Sequence, residues 1–124
     1  MAVLVDTSAW IRFLQGREPF FTEVDRLLAA DAVWGHEFVY GELLIGDPGG
    51  RLPLLTRYRL LQWSATCAHQ EAISLTHAHR LHGKGIGWID VHLIATALRD
   101  DIGLLTADVR LSEIATELGI SYVL

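Results

Sequence analysis

Short apolar runs alternate with segments of helical periodicity along most of the 124-residue chain. The first run, Ala2–Val5, is continuously apolar and partly β-branched, which is typical of a strand covered on both faces. Strands are predicted at residues 2–5, 32–34, 102–105 and 120–124, and helices at residues 20–30, 36–45, 53–61, 70–81, 89–99 and 111–118. This alternation favours an α/β fold with a mostly parallel sheet and helices on both of its faces.

Length and composition limit the kind of protein that this chain can be. With 124 residues, of which 51% are hydrophobic and 20% charged, we expect one folded domain spanning residues 1–124. Cys67 is the only cysteine, so an internal disulfide is excluded. No apolar run reaches the roughly 18–20 residues of a membrane span, and Met1 leads into a strand without a signal peptide. We therefore expect a cytoplasmic protein with no membrane partner.

The basic residues are unevenly distributed, although the net charge of the chain is −5. Residues 51–84 contain five basic residues and one acid. The five are Arg51, Arg57, Arg59, Arg80 and Lys84. Cations in one stretch are candidates for phosphate contacts with a nucleic acid, while the alternative is a solvated helix face. The histidines at 77, 79 and 82 do not favour a transition-metal site, since no cysteine or acid completes it at the usual spacing.

Four acids occupy positions near the ends of predicted elements. Asp6 follows the first strand, Asp108 follows the strand at 102–105, Asp90 begins a helix after a glycine loop, and Glu42 lies within the helix at 36–45. Each acid alone is explained as a helix cap or a surface charge. Together at one sheet edge they would repel one another unless a cation joined them. Oxygen ligands favour Mg²⁺, with Mn²⁺ as a possible substitute.

The segments that carry these acids are LVDTSAWI, YGELLIG, WIDVHLIATAL and LLTAD. In their order and spacing they resemble the four acidic motifs of PIN domains, and the match is nearest to the VapC-type toxin ribonucleases. The resemblance covers essentially the whole chain and implies a three-layer α/β/α fold with a mostly parallel central sheet. It also implies that the four acids are catalytic and bind the metal. Thr7, Ser8 and Thr106 would orient them. Arg110 departs from the pattern, because many relatives have an acid there.

What the resemblance implies for function is a Mg²⁺-dependent endoribonuclease, a hydrolase of RNA phosphodiesters. It would act as the toxin of a toxin–antitoxin pair, with a VapB-type antitoxin as its partner, and as a homodimer. The alternative is a catalytically weak or inactive PIN scaffold that binds protein or RNA, which the four intact acids disfavour. Ser8 excludes a haloacid-dehalogenase phosphatase, which needs an Asp there. Trp10 and Trp88 flank two of the acids and could stack on a base, but core packing is the favoured interpretation.

Overall fold

The computed structural model describes residues 2–124, built around a parallel sheet of short strands. Its strands are β1 (Val3–Val5), β2 (Val33–Gly35), β3 (Gln62–Trp63) and β4 (Gly103–Leu105). They lie in the order β3-β2-β1-β4, and all three pairings are parallel. In the central strand Val3 pairs with Val33 on one side and with Gly103 on the other. Every residue of β1 is fully buried, as required of a strand whose two faces are both covered.

Seven helices provide the outer layers. They are α1 (Thr7–Leu14), α2 (Phe20–Ala29), α3 (Glu37–Ile45), α4 (Leu52–Tyr58), α5 (His69–His79), α6 (Trp88–Asp100) and α7 (Val109–Glu117). Parallel strands can be joined only by crossovers, and helices serve this purpose here. The predicted three-layer α/β/α class with its parallel sheet is therefore confirmed.

Trp10 fixes the start of the chain to the rest of the core. Its indole packs edge-on against Phe13 at 5.7 Å and against Tyr58 at 5.6 Å between ring centroids. Tyr58 also contacts the residue that follows β2, since its hydroxyl accepts a hydrogen bond from the N–H of His36 at 2.9 Å. Tyr58 thus contacts both Trp10, on the helix after β1, and His36, which follows β2.

One predicted element is wrong and two were not predicted. The strand expected at 120–124 is a single bridge: Leu104 donates to the carbonyl of Ile120 at 2.7 Å and accepts from Tyr122 at 3.0 Å. The pairing ends there, and Val123 and Leu124 are exposed. Helix α1 was not predicted, because it follows Asp6 without a break. Strand β3 has only two residues, too few for a periodicity to indicate it.

The parallel arrangement brings the carboxyl ends of the strands to one edge of the sheet. The N–H of Asp6 donates to the carbonyl of Leu105 at 2.8 Å, so the pairing of β1 with β4 continues to the first site acid. Ligands of open parallel sheets bind outside this edge. Among residues 2–124, no helix is both long and apolar enough to cross a membrane.

Candidate active site

Asp6 is the most deeply placed of the four acids. Its side chain leaves the end of β1, and the residue is only 5% exposed. The hydroxyls of Ser8 and Thr106 both donate to its Oδ2 atom, at 2.7 and 2.8 Å. Thr106 reaches it because β4 lies beside β1 in the sheet. Two donors on one oxygen fix the carboxylate and leave Oδ1 without a hydrogen bond from the described residues.

Asp108 is held by the same pair of hydroxyls through the backbone. The N–H of Ala107 donates to Ser8 Oγ, and the N–H of Asp108 donates to Thr106 Oγ1, both at 3.0 Å. The Oδ1 atom of Asp108 accepts the N–H of Leu111 at 3.0 Å and so caps α7. This acid therefore has a structural role in addition to the expected functional one.

Glu42 is oriented by the residue next to Ser8. Thr7 Oγ1 donates to Glu42 Oε1 at 2.7 Å, across the contact between α1 and α3. Thr7 and Ser8 thus hold two different carboxylates, although they are adjacent in the chain. Both hydroxyls after β1 are expected to orient Asp6; Ser8 contacts it, whereas Thr7 contacts Glu42 instead.

Asp90 lies in the first turn of α6, where its Oδ2 atom accepts the N–H of Gly87 at 2.9 Å. Burial raises the pKa of Asp90 most, the Gly87 hydrogen bond opposes this, and the charges of Asp6, Asp108 and Glu42 raise it further. Because all three other acids act on this carboxyl group, the four share one electrostatic environment. The chain has brought together residues that lie up to about a hundred positions apart.

The donor set suits a hard divalent cation. Each of the four acids has one carboxylate oxygen held by a hydrogen bond from the protein, while its second oxygen accepts none from residues 2–124. Mg²⁺ takes oxygen ligands and keeps several waters, so one or two direct carboxylates are enough to bind it. Within residues 2–124, no three Asp, Glu, His or Cys side chains lie close enough together to form a preassembled metal site.

Comparison with known proteins identifies the family. The model of the PIN domain matches residues 3–117. This chain belongs to the PIN domain family. It is 32% identical over 120 residues to Ribonuclease VapC32 of two Mycobacterium tuberculosis strains, covering 96% of this chain and 94% of the relative. The crystal structure of PAE2754 from Pyrobaculum aerophilum is similar in fold, with a TM-score of 0.58 and 12% identity over 96% of this chain and 90% of that one.

In this PIN domain, Arg110 lies on the glycine loop that leads to Asp90. Gly85 has a φ of +78°, and a Cβ atom at this position would collide with the Arg110 guanidinium. The arginine follows Asp108 by two residues, so it joins the start of α7 to the loop before α6. A cation thus packs on this loop from the position where the family pattern suggested another acid.

The basic residues predicted to bind RNA lie on different elements and differ in their contacts. Arg51 donates from Nη1 to the carbonyl of Leu43 at 2.9 Å and so serves the packing of α4 on α3. Arg57 and Arg59 are exposed at the end of α4, whereas Arg80 and Lys84 are exposed after α5. Their role in RNA binding stays a prediction.

The two tryptophans differ in their surroundings. Trp10 is 1% exposed, as a core residue should be, but Trp88 is 43% exposed. The expectation of core packing is therefore correct for the first and wrong for the second. Trp88 is the first residue of α6, next to Gly87, and its indole contacts the rings of His69 and His92. Sequence reasoning did not identify these two histidines as part of the site's surroundings.

Proposed function

We propose that this PIN domain is a metal-dependent endoribonuclease and the toxin of a toxin–antitoxin pair, with residues 1–124 as a single catalytic domain. The observation that supports the proposal is the hydrogen-bonded group in which Thr7, Ser8 and Thr106 hold Glu42, Asp6 and Asp108, with Asp90 near enough for their charges to add to burial in raising its pKa, in a chain related to Ribonuclease VapC32. An all-carboxylate site with no cysteine or histidine nucleophile suits phosphodiester hydrolysis.

The hydrogen bonds within residues 2–124 leave one oxygen of each acid without a donor and so support metal binding by all four. Asp6 and Asp90 would be the most direct ligands of Mg²⁺ or Mn²⁺, and Asp108 and Glu42 would act directly or through water. When bound, the ion polarises the phosphoryl oxygens and activates a water molecule. Ser8 and Thr106 hold Asp6 so that its Oδ1 atom faces no protein donor, and Thr7 does the same for one oxygen of Glu42.

The partners follow from the family and belong to the same proposal. The RNA substrate would contact exposed cations, for which Arg57, Arg59, Arg80 and Lys84 are candidates and Arg51 a weaker one. A VapB-type antitoxin would cover the acids, and the chain would act as a homodimer in the cytoplasm. The alternative, a weak or inactive scaffold, is favoured by a single feature, the arginine at position 110.

The test is cleavage of single-stranded RNA with and without metal. We expect cleavage in Mg²⁺ and none in EDTA. Asp6→Asn keeps the shape and both hydroxyl partners but loses the charge. It should lower the rate by more than roughly 100-fold, since changes to groups that only support a ligand already cost 10–100-fold. Its melting temperature should stay near that of the parent.

Asp25→Asn is the matched control, because Asp25 is an exposed carboxylate on α2 away from the site. It should cleave at the parental rate. Cleavage that persists in EDTA, or an Asp6→Asn protein as active as the control, would contradict a carboxylate-bound metal mechanism. A folded parent that cleaves no RNA under any metal condition would favour the inactive scaffold.

A further inference from the structure

Four aromatic rings form a continuous row beside the acids. We call the row formed by Phe38, His92, Trp88 and His69 the aromatic row. Ring centroids are 5.0 Å apart for Phe38 and His92, and 5.3 Å apart both for His92 with Trp88 and for Trp88 with His69. Phe38 precedes Glu42 by four residues on α3, so these two side chains lie on the same helix face. The row therefore begins next to one of the site acids.

The aromatic row is anchored by His92, which lies between Phe38 and Trp88. His92 is 3% exposed, and its Nδ1 atom lies 3.3 Å from the sulfur of the buried Cys67. It meets Phe38 edge-on at an interplanar angle of 83° and Trp88 at 87°. Trp88 therefore packs on one ring that is buried and held in place, His92, while its other neighbour, His69, is exposed at the start of α5.

The exposed part of the row lies at the start of α6, the helix that carries Asp90. Trp88 remains 43% exposed although it is the largest type of side chain. It is followed after one residue by Asp90, and the preceding residue, Gly87, donates the hydrogen bond that holds that carboxylate. An exposed indole that packs on the buried His92 ring thus lies two residues before Asp90.

Two cations lie on the loop before Trp88, where they line a shallow hollow together with Glu113 and Glu117. Lys84 and Arg110 lie in and against the glycine loop that precedes Trp88, and both are exposed. Within residues 2–124 neither is part of an ion pair. Phosphates on one side of the loop and a base on the indole are the two contacts that a single-stranded nucleic acid makes with its binding proteins.

We propose that Trp88 is a substrate-positioning residue on which one base of single-stranded RNA stacks, next to the phosphodiester held by the acids. This inference deepens the proposed function and rests on it for the identity of the substrate. A base can stack on the indole only after it has left its neighbours, so unpaired RNA or a loop is the substrate class. Because every base has a π-face, the contact positions the strand without selecting its sequence.

Two probes of equal length separate base stacking from phosphate binding. The first is a fluorescent single-stranded oligoadenylate, and the second is an abasic oligomer with the same sugar–phosphate backbone. Binding is measured by anisotropy on the Asp6→Asn protein, which keeps the site's shape and does not cleave the probe. The Asp6→Asn protein with Trp88 intact should bind the oligoadenylate more tightly than the abasic oligomer.

The decisive variants change the π-face and little else. Trp88→Leu, which still covers His92, should weaken oligoadenylate binding by about 5- to 150-fold, the equivalent of 1–3 kcal/mol for one stacked base. Its affinity for the abasic oligomer should stay near the parental value, and Trp88→Tyr should recover most of the loss. Phe21→Leu is the control, since Phe21 is also 43% exposed but lies on α2 and stacks on Phe13.

Other results would overturn the inference. The inference is wrong if Trp88→Leu binds the oligoadenylate as tightly as the protein with Trp88 does. It is also wrong if the change lowers the affinity for both probes equally. If Trp88→Leu does not fold, tryptophan emission of the Asp6→Asn protein decides: quenching by the oligoadenylate and not by the abasic oligomer supports stacking, and equal emission with both overturns it. Cleavage by the protein with Asp6 intact is scored separately. Absence of cleavage by the parent protein contradicts the proposed function, whereas the affinity comparison tests the role of Trp88 alone.

Discussion

At the scale of single residues, a histidine outside the site carries the clearest pH dependence. His36 is fully buried after β2, where its Nδ1 atom accepts the N–H of Phe38 at 3.1 Å and caps α3. Its Nε2 atom lies 3.3 Å from Thr96 Oγ1. Burial, the main cause, lowers the pKa of His36 to about 4, with a smaller contribution from the charge of His92. The folded protein therefore keeps this ring neutral.

We predict that His36 makes the fold sensitive to acid. Between about pH 6.5 and pH 4 the unfolded chain binds a proton that the folded chain does not, so the free energy of unfolding falls as the pH is lowered. The loss across this window is at most about 3 kcal/mol. Urea unfolding at several pH values measures it. His36→Asn, which can still cap α3, should be less stable at pH 7 but should have a flatter profile.

Other groups contribute to the acid sensitivity in both proteins, so the difference between the two profiles is the relevant quantity. Parallel profiles for His36→Asn and the parent would contradict this prediction.

Residue identities in the site were largely accessible from the sequence, but their contacts were not. The bond between Ser8 and Asp6 spans two positions and follows from local geometry. The bond between Thr7 and Glu42 spans 35 positions and depends on how α1 packs against α3. The exposure of Trp88 likewise depends on where α5 places His69. Periodicity identifies a helix face but not the side chains that a neighbouring helix leaves uncovered.

At the scale of elements, two helices end in a conformation that their sequence does not favour. Helix α5 ends at Arg80 with a φ of 52°, and α6 ends at Asp101 with a φ of 53°. Residues with a side chain pay about 1–2 kcal/mol for this left-handed region, and glycine is the usual choice. The predicted helix over 70–81 ends at His79 for this reason, since Arg80 already turns the chain out of the helix.

We predict that Arg80→Gly stabilises the protein by roughly 0.5–1 kcal/mol, because the relief of strain exceeds the added flexibility of the unfolded chain. Arg59→Gly is the matched control: Arg59 is also an exposed arginine at a helix end, but its φ is −65°. That change should destabilise the protein. Urea unfolding measures both, and effects of the same sign would show that the left-handed geometry is not the cause.

At the scale of the whole molecule, the sheet forces like charges together. The sequence predicts that carboxyl ends of parallel strands meet at one edge, and hence that Asp6 and Asp108 meet. It does not predict the order β3-β2-β1-β4, because each crossover can return on either side of the strand before it. That order places β1 beside β4 and so gives Asp6 its second hydroxyl partner, Thr106.

We predict that Mg²⁺ or Mn²⁺ raises the melting temperature, because a cation bound only by the folded protein relieves the repulsion among the acids. At one hundred times the dissociation constant the gain is about 2.7 kcal/mol. Asp90→Asn should melt at a higher temperature than the parent without metal, since burial and three neighbouring charges disfavour its ionised form. Its shift on adding the metal should be smaller.

Thermal melts with and without the chloride salt, matched in ionic strength with KCl, measure these shifts. Asp25→Asn should show the full parental shift. Equal shifts in Asp90→Asn and the parent would mean that the cation binds away from the four acids.

Asp6 and Asp108 differ in what else depends on them, and this affects which mutations can inactivate such a protein without unfolding it. Asp6 occupies the N-cap position of α1, yet its side chain makes no capping hydrogen bond, whereas Asp108 caps α7. Cells that carry an active toxin are under selection for any mutation that inactivates it. From the proposed function we expect one codon change at Asp6 to yield an inert protein that keeps its shape and its surface for the antitoxin. At Asp108 the same kind of lesion also loosens a helix, and the product becomes a target for proteolysis.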